Sequence, residues 1–290
     1  MSDENKTIID MAKEFQATKG IENDVPADAE SPATAPKAPK ATTHGLADGK
    51  VPDILKDLLG AVNEKMAWVP VDLPSRGQAY TNLEGNVNIR PFSFQEEKLL
   101  RSISKVSQGR EVIGKIFEAC VKGIAYDALT VPDKNYILFK LREISYGNDY
   151  PVVFNCNNCK TENRMRVEID QIPINYVSDD YEEPFKFMLP DAQKEVMAVS
   201  PRSKDEDYMA TGEVLTQNLW RFVQSVGGYK DKVIIKKFIE ATTARDVATI
   251  RDSLINDDYG LDQEVTFDCI ECGSPQTGSI PLNEHFFSPS

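Results

Sequence analysis

Two Cys-x-x-Cys pairs, Cys156/Cys159 and Cys269/Cys272, constrain this chain more than any other feature. Each pair sits in a stretch of the same design. "VVFNCNNCKTENRMRVEI" runs from Val152 to Ile169, and "EVTFDCIECGSPQTGSIPL" from Glu264 to Leu282. Both read as strand, cysteine pair, polar turn, strand. Two cysteines three positions apart at a tight turn place both sulfurs on one side, toward one ion. Four thiolates would close the tetrahedral shell of a Zn²⁺ ion, so the pattern favours one structural zinc held by Cys156, Cys159, Cys269 and Cys272. Buried thiols without metal, and a redox pair or another metal, are the alternatives. A simple ribbon has about 15–20 residues between its halves, whereas Cys159 and Cys269 stand 110 positions apart. The residues between then form an insertion whose ends the metal clamps together. The fifth cysteine, Cys120, lies on the apolar face of a helical stretch and reads as a core thiol.

The balance of 33 Lys and Arg against 46 Asp and Glu leaves a net charge of -13. Such a chain repels phosphate unless it carries a basic face, so no nucleic-acid partner is expected. Lys230, Lys232, Lys236 and Lys237 are broken up by Asp231 and apolar residues and read as a solvated helix face. No apolar run approaches the roughly 20 residues of a membrane span. The start "MSDENKTIIDMAKEF" lacks the basic and apolar blocks of a signal peptide, so a reducing cytoplasm is expected. Catalysis is poorly supported. The chain has two histidines, His44 and His285, no phosphate-cradling glycine loop, and a metal shell with no open position.

Residues 1–50 read as a disordered tail, rich in Ala, Pro, Thr and Lys. Within it Ile8, Ile9, Met11 and Phe15 share one side of a helical wheel, as a frayed stub or as a docking tag. Residues 51–149 read as a helical domain with a short strand. A helix with Ile54, Leu55, Leu58, Leu59 and Val62 inward is followed by the extended "VPVDLPSRGQAY" and the strand "NVNIR". Ser93 and Glu96 have capping-box spacing before "QEEKLLRSIS". Two more helices follow, "REVIGKIFEACVKG" and a third that starts after Thr130 and stops near Gly147. "REISYGNDY" reads as a helix cap with packed tyrosines. Residues 150–178 form the first knuckle hairpin, 179–261 an inserted helical unit, and 262–290 the second knuckle with a C-terminal anchor. In the insert "EEPFKFMLP" reads as a strand. "EDYMATGEVLTQNLWRFVQSV", "KDKVIIKKFIEATT" and "ARDVATIRDSLINDDYG" read as helices, with Thr243 and Asp246 as caps for the last. Phe286 and Phe287 either anchor the chain end in the core, the favoured reading, or meet a partner. The expected class is α+β: a helix-rich body with short strands and a split four-Cys zinc ribbon.

"LPSRGQAY", "VNIRPFSFQEEKLL", "LREISYGNDY", "FNCNNC", "FDCIEC" and "EHFF", in that order, resemble the baseplate hub protein family of T-even-type contractile-tailed phages. "IRPFSFQEEKLL" with helices behind it is also similar to tail assembly chaperones, which hold the tape-measure protein. The resemblance implies a hub component or assembly factor rather than an enzyme. Its partners would be phage tail proteins, namely baseplate hub subunits or the tape-measure protein. It would act in the host cytoplasm and could stay in the tail baseplate. The rival from another class is a zinc-ribbon regulator that binds nucleic acid, which the acidic charge disfavours.

Overall fold

The computed structural model describes residues 60, 62, 64–102, 106–255, 259–282 and 284–287. The expected tail with its Ile8–Phe15 stripe, His44, and nearly all of the helix expected before Trp68 lie outside the described residues. What is described mixes helix and strand.

Strands β1 (Val69–Asp72), β2 (Asn86–Ile89) and β3 (Val121–Lys122) form an antiparallel sheet in the order β1-β2-β3. Val87 and Ile89 are buried while Asn86 and Asn88 are exposed, the period-two alternation of a strand with one covered face. Past Pro91, Ser93 caps α1 (Phe94–Arg101) with the expected capping box. The Ser93 hydroxyl accepts from Gln95 N at 3.2 Å, and Glu96 accepts from Ser93 N at 2.7 Å. Glu96 also pairs with Arg90 at 3.0 Å. Burial by itself would raise the Glu96 pKa, but the Arg90 guanidinium and the Ser93 donors outweigh it and hold the carboxyl at about 2.

Helix α2 (Val106–Cys120) turns Ile116, Phe117 and Cys120 inward. Helix α3 (Val131–Tyr146) has both expected ends: Thr130 accepts from Asp133 N, and Gly147, at φ 93°, takes a conformation that costs glycine little. At that end Arg142 is fully buried. It donates to the carbonyls of Gly147 at 3.0 Å and Asp149 at 3.2 Å, and its guanidinium lies 5.2 Å and 5.5 Å from the ring centroids of Tyr146 and Tyr150. This is the helix cap with packed tyrosines. Phe286 and Phe287 bury in the same cluster, Phe286 at 4.7 Å from Phe139 and 5.1 Å from Tyr150 between centroids, so both phenylalanines are core anchors.

A second apolar cluster forms between β7 (Phe185–Met188), β8 (Glu195–Ala198), β9 (Val223–Val226), α4 (Gly212–Asn218), α5 (Lys232–Ala241) and α6 (Ala244–Ile255). It centres on Leu189, Val196, Leu219, Val223, Ile235 and Ile250. The expected strand at Phe185 and the last two expected helices are present. The continuous helix expected over Glu206–Val226 is not. That stretch divides into a 3₁₀ turn (Ser203–Tyr208), α4, a second 3₁₀ turn (Leu219–Arg221) and β9. Val226 pairs with Val196 and Ser225 with Met197, so cross-strand packing of β-branched residues overrides the helical period. Between residues 179 and 261 the chain is therefore mixed helix and sheet, not helical throughout.

Asp231 caps α5 by accepting from Val233 N and Ile234 N at 2.8 and 3.1 Å. Thr243 caps α6 by accepting from Asp246 N at 3.2 Å. The Asp246 carboxylate turns the other way. It accepts from Asp191 N at 2.9 Å, Ala192 N at 3.0 Å and the Thr242 hydroxyl at 2.7 Å, tying α6 to the β7–β8 turn. The join between the two clusters is polar. Ser203 N donates to Leu129 O at 2.8 Å, Arg202 to Ala79 O at 2.8 Å and to Glu183 at 3.1 Å, and Lys134 pairs with Glu206. The chain crosses into the second cluster and returns beside its own path. β6 (Ile174–Asn175) pairs antiparallel with β10 (Gly260–Leu261).

Candidate metal centre

The two cysteine stretches fold as the hairpins their sequences suggest. β4 (Asp149–Asn155) pairs with β5 (Glu162–Glu168), and β11 (Glu264–Asp268) with β12 (Pro275–Ser279). Their turns match atom for atom. Cys156 N donates to Thr161 O at 2.9 Å and Lys160 N to Cys156 O at 3.0 Å; Cys269 N donates to Ser274 O at 3.0 Å and Gly273 N to Cys269 O at 2.9 Å. The fourth residue after the first cysteine has φ 63° in both, Lys160 in one turn and Gly273 in the other.

The hairpins face each other and bring all four sulfurs together, within 4.8 Å of one another. Cys159 and Cys269 sulfurs lie 3.5 Å apart, those of Cys156 and Cys272 3.7 Å apart. An S–S bond is about 2.05 Å, and no disulfide joins these cysteines. Four sulfurs at about 2.3 Å from a central ion in a tetrahedron stand about 3.8 Å apart, so the two short separations suit a metal-sized centre. Cys156 and Cys269 are buried, Cys159 and Cys272 exposed. Backbone N–H groups of Cys272 and Glu271 point at the Cys269 sulfur and bring its pKa down to about 6. The Thr161 hydroxyl and backbone lower that of Cys159. Both environments favour thiolate, the metal-binding form. At Cys272 the Ser274 backbone and Asn158 donors are outweighed by burial and by the neighbouring Cys159 and Cys156 sulfurs, which push its thiol up. Cys120 differs. It lies in the first apolar cluster, and burial pushes its thiol up to about 12.

A local two-fold relation governs the residues around the sulfurs. Asn163, seven positions after Cys156, accepts from Ile270 N of the other turn at 2.9 Å. Gln276, seven positions after Cys269, accepts from Asn157 N of the first turn at 2.9 Å. Phe154 and Phe267, each two positions before its cysteine pair, stack at 5.3 Å between centroids and 21° between planes. Gly278 makes room for that stack, since a Cβ there would fall 2.6 Å from the Phe154 ring. Sequence reading missed all five residues. The signal was present, because Asn163/Gln276 and Phe154/Phe267 hold matching positions when the two motifs are superposed.

The model of the T4 bacteriophage base plate protein family matches residues 66–288. The chain belongs to that family. Comparison with curated proteins and with solved structures gave no match. In this base plate protein the matched span takes in both cysteine hairpins and both apolar clusters. No helix among the described residues of the base plate protein is long and apolar enough to cross a membrane.

Asn163 gives the site a direct test. It is buried and spans the two turns, also donating to Thr161 O at 2.9 Å. If the four sulfurs hold a metal, Asn163→Ala should weaken its retention about 10–100-fold, the usual cost of removing a group behind the ligands. Competition with a chromophoric chelator reads this directly. Unchanged retention would show the turns to be set by their own backbone.

Proposed function

We propose that this base plate protein is a hub component or assembly factor that works by binding other tail proteins, and that one zinc ion joins its two hairpins through Cys156, Cys159, Cys269 and Cys272. The family match over residues 66–288 carries the first part of the reading. The convergence of four unoxidised sulfurs supports the second. Four thiolates are soft ligands in a tetrahedral set, which suits zinc better than magnesium or calcium. Once bound, the ion supplies a structural cross-link and, with its shell full, no water to activate. The work of the protein is then contact, not turnover, with baseplate hub subunits or the tape-measure protein as partners.

Two experiments test this. Elemental mass spectrometry should find about one zinc per chain in the wild type and in Cys120→Ser. A ratio near zero, or loss of zinc in Cys120→Ser, removes the metal reading. A tagged copy expressed during infection should capture tail proteins, and phage lacking the protein should make heads without infectious tails. If such phage built complete tails and failed in gene expression instead, the zinc-ribbon regulator would replace the assembly role.

A further inference from the structure

We propose that the exposed face of α5 is the docking site of the chain's own N-terminal stretch, residues 7–16. Tyr229, Val233 and Ile234 are 67%, 63% and 51% exposed, three large apolar side chains within six residues. Their opposite neighbours Ile235 and Ile239 fill the second apolar cluster, so α5 is apolar on both sides. Neighbouring exposed apolar side chains mark an interaction site more often than scattered ones do. Beside it Trp220 lies under two cations, with Arg221 at 4.8 Å and Lys236 at 5.6 Å from its ring centroid. Lys232 is spent elsewhere, donating to the carbonyls of Trp220, Arg221 and Val223 at 3.3, 3.0 and 2.7 Å, and so holds α5 against the turn before β9.

Charge selects the occupant. From Trp220 to Ala241 the chain has Arg221, Lys230, Lys232, Lys236 and Lys237 against Asp231 and Glu240, a basic island on a chain of net charge -13. Residues 7–16 carry Asp10 and Glu14 against Lys13, with Asp3 and Glu4 against Lys6 just before them, together with the apolar series Ile8, Ile9, Met11 and Phe15. Apolar groups flanked by acids suit apolar groups flanked by lysines. A nucleic acid would meet the lysines but leave Val233 and Ile234 uncovered. Reach is sufficient. Forty-four residues separate Phe15 from Gly60, and a coil of that length has a root-mean-square reach of roughly 35–40 Å. A folded part of this size has a radius of gyration of about 17 Å. Tethering raises the local concentration to the millimolar range, so a contact of modest affinity is occupied.

The test uses the full chain with a photo-crosslinking phenylalanine analogue at position 15. Cross-links located by mass spectrometry should fall within residues 229–241 and within single chains. Ile234→Asp, a surface change that leaves the melting curve in place, should reduce them about tenfold. Lys237→Glu should reduce them less, and added salt should weaken them in the wild type. Cross-links elsewhere, or a yield indifferent to Ile234→Asp, overturn the proposal. Cross-links joining two chains overturn it in favour of a second copy as the occupant. Neither result bears on the zinc site or on tail-protein capture, which are tested separately.

Discussion

Cys269→Ser should bind no zinc and should melt roughly 10 °C or more below the wild type. A serine hydroxyl does not ionise near neutral pH, so three thiolates would remain around a centre built for four. In small zinc domains metal binding is worth about 10–16 kcal/mol because folding depends on it. Here only part of that link is at stake. The second apolar cluster stands apart from the hairpins and the first takes in Tyr150 and Val152 of β4, while β11 and β12 are held by the site, by the Phe154–Phe267 stack, and by Ile280 and Phe286 beyond them. A chelator should bring the wild-type melting temperature down toward that of the mutant and leave the mutant where it is. Equal response of the two proteins to chelator would mean that the sulfurs meet without a metal.

Arg142→Met should cost about 3–4 kcal/mol, or roughly 8–12 °C in melting temperature. Among the described residues no carboxylate pairs with the guanidinium. Its Nη1 and Nη2 donate instead to the carbonyls of Gly147 and Asp149 just past the C-terminus of α3, where the helix dipole is negative, the faces of Tyr146 and Tyr150 cover it, and Nε is buried without an acceptor. Methionine keeps much of the volume but leaves both carbonyls without a donor. Arg142→Lys should recover only part of the loss, since one ammonium cannot reproduce the planar fork that reaches two acceptors. Urea melts of the three proteins decide it. A cost under about 1 kcal/mol would mean that water takes the place of the guanidinium.

What was legible in the sequence was local. The Ser93–Glu96 box, the Thr130 and Gly147 ends of α3 and the two hairpin turns are written within a few residues each, and all are present. The meeting of the four sulfurs was also legible, because a repeated motif carries long-range information in its repetition. β9 was not. Val223 reads as helix by period and becomes strand only because β8 lies beside it. Asn163 and Gln276 were missed for a related reason. Each looks like an ordinary polar residue of its own hairpin, and its function depends on a turn more than a hundred positions away. Asp246 read as a cap, yet its carboxylate serves Asp191 and Ala192 instead.

The β6–β10 pair has a bearing on ancestry. It sets Asn175 opposite Gly260 and Ile174 opposite Leu261, so everything between leaves and re-enters through one narrow doorway. To the paired hairpins, that whole stretch is a single loop. Lengthening a flexible loop is cheap, since each doubling costs only about 0.6 kcal/mol of closure entropy. Insertions, deletions or wholesale replacement between the two sides of the doorway would therefore be expected to leave the four-sulfur cluster in register. Lineages descended from a common ancestor should drift most in length there, and a chimera that exchanges the contents of the doorway must keep Arg202, Ser203 and Glu206, which tie that stretch to Ala79, Leu129 and Lys134.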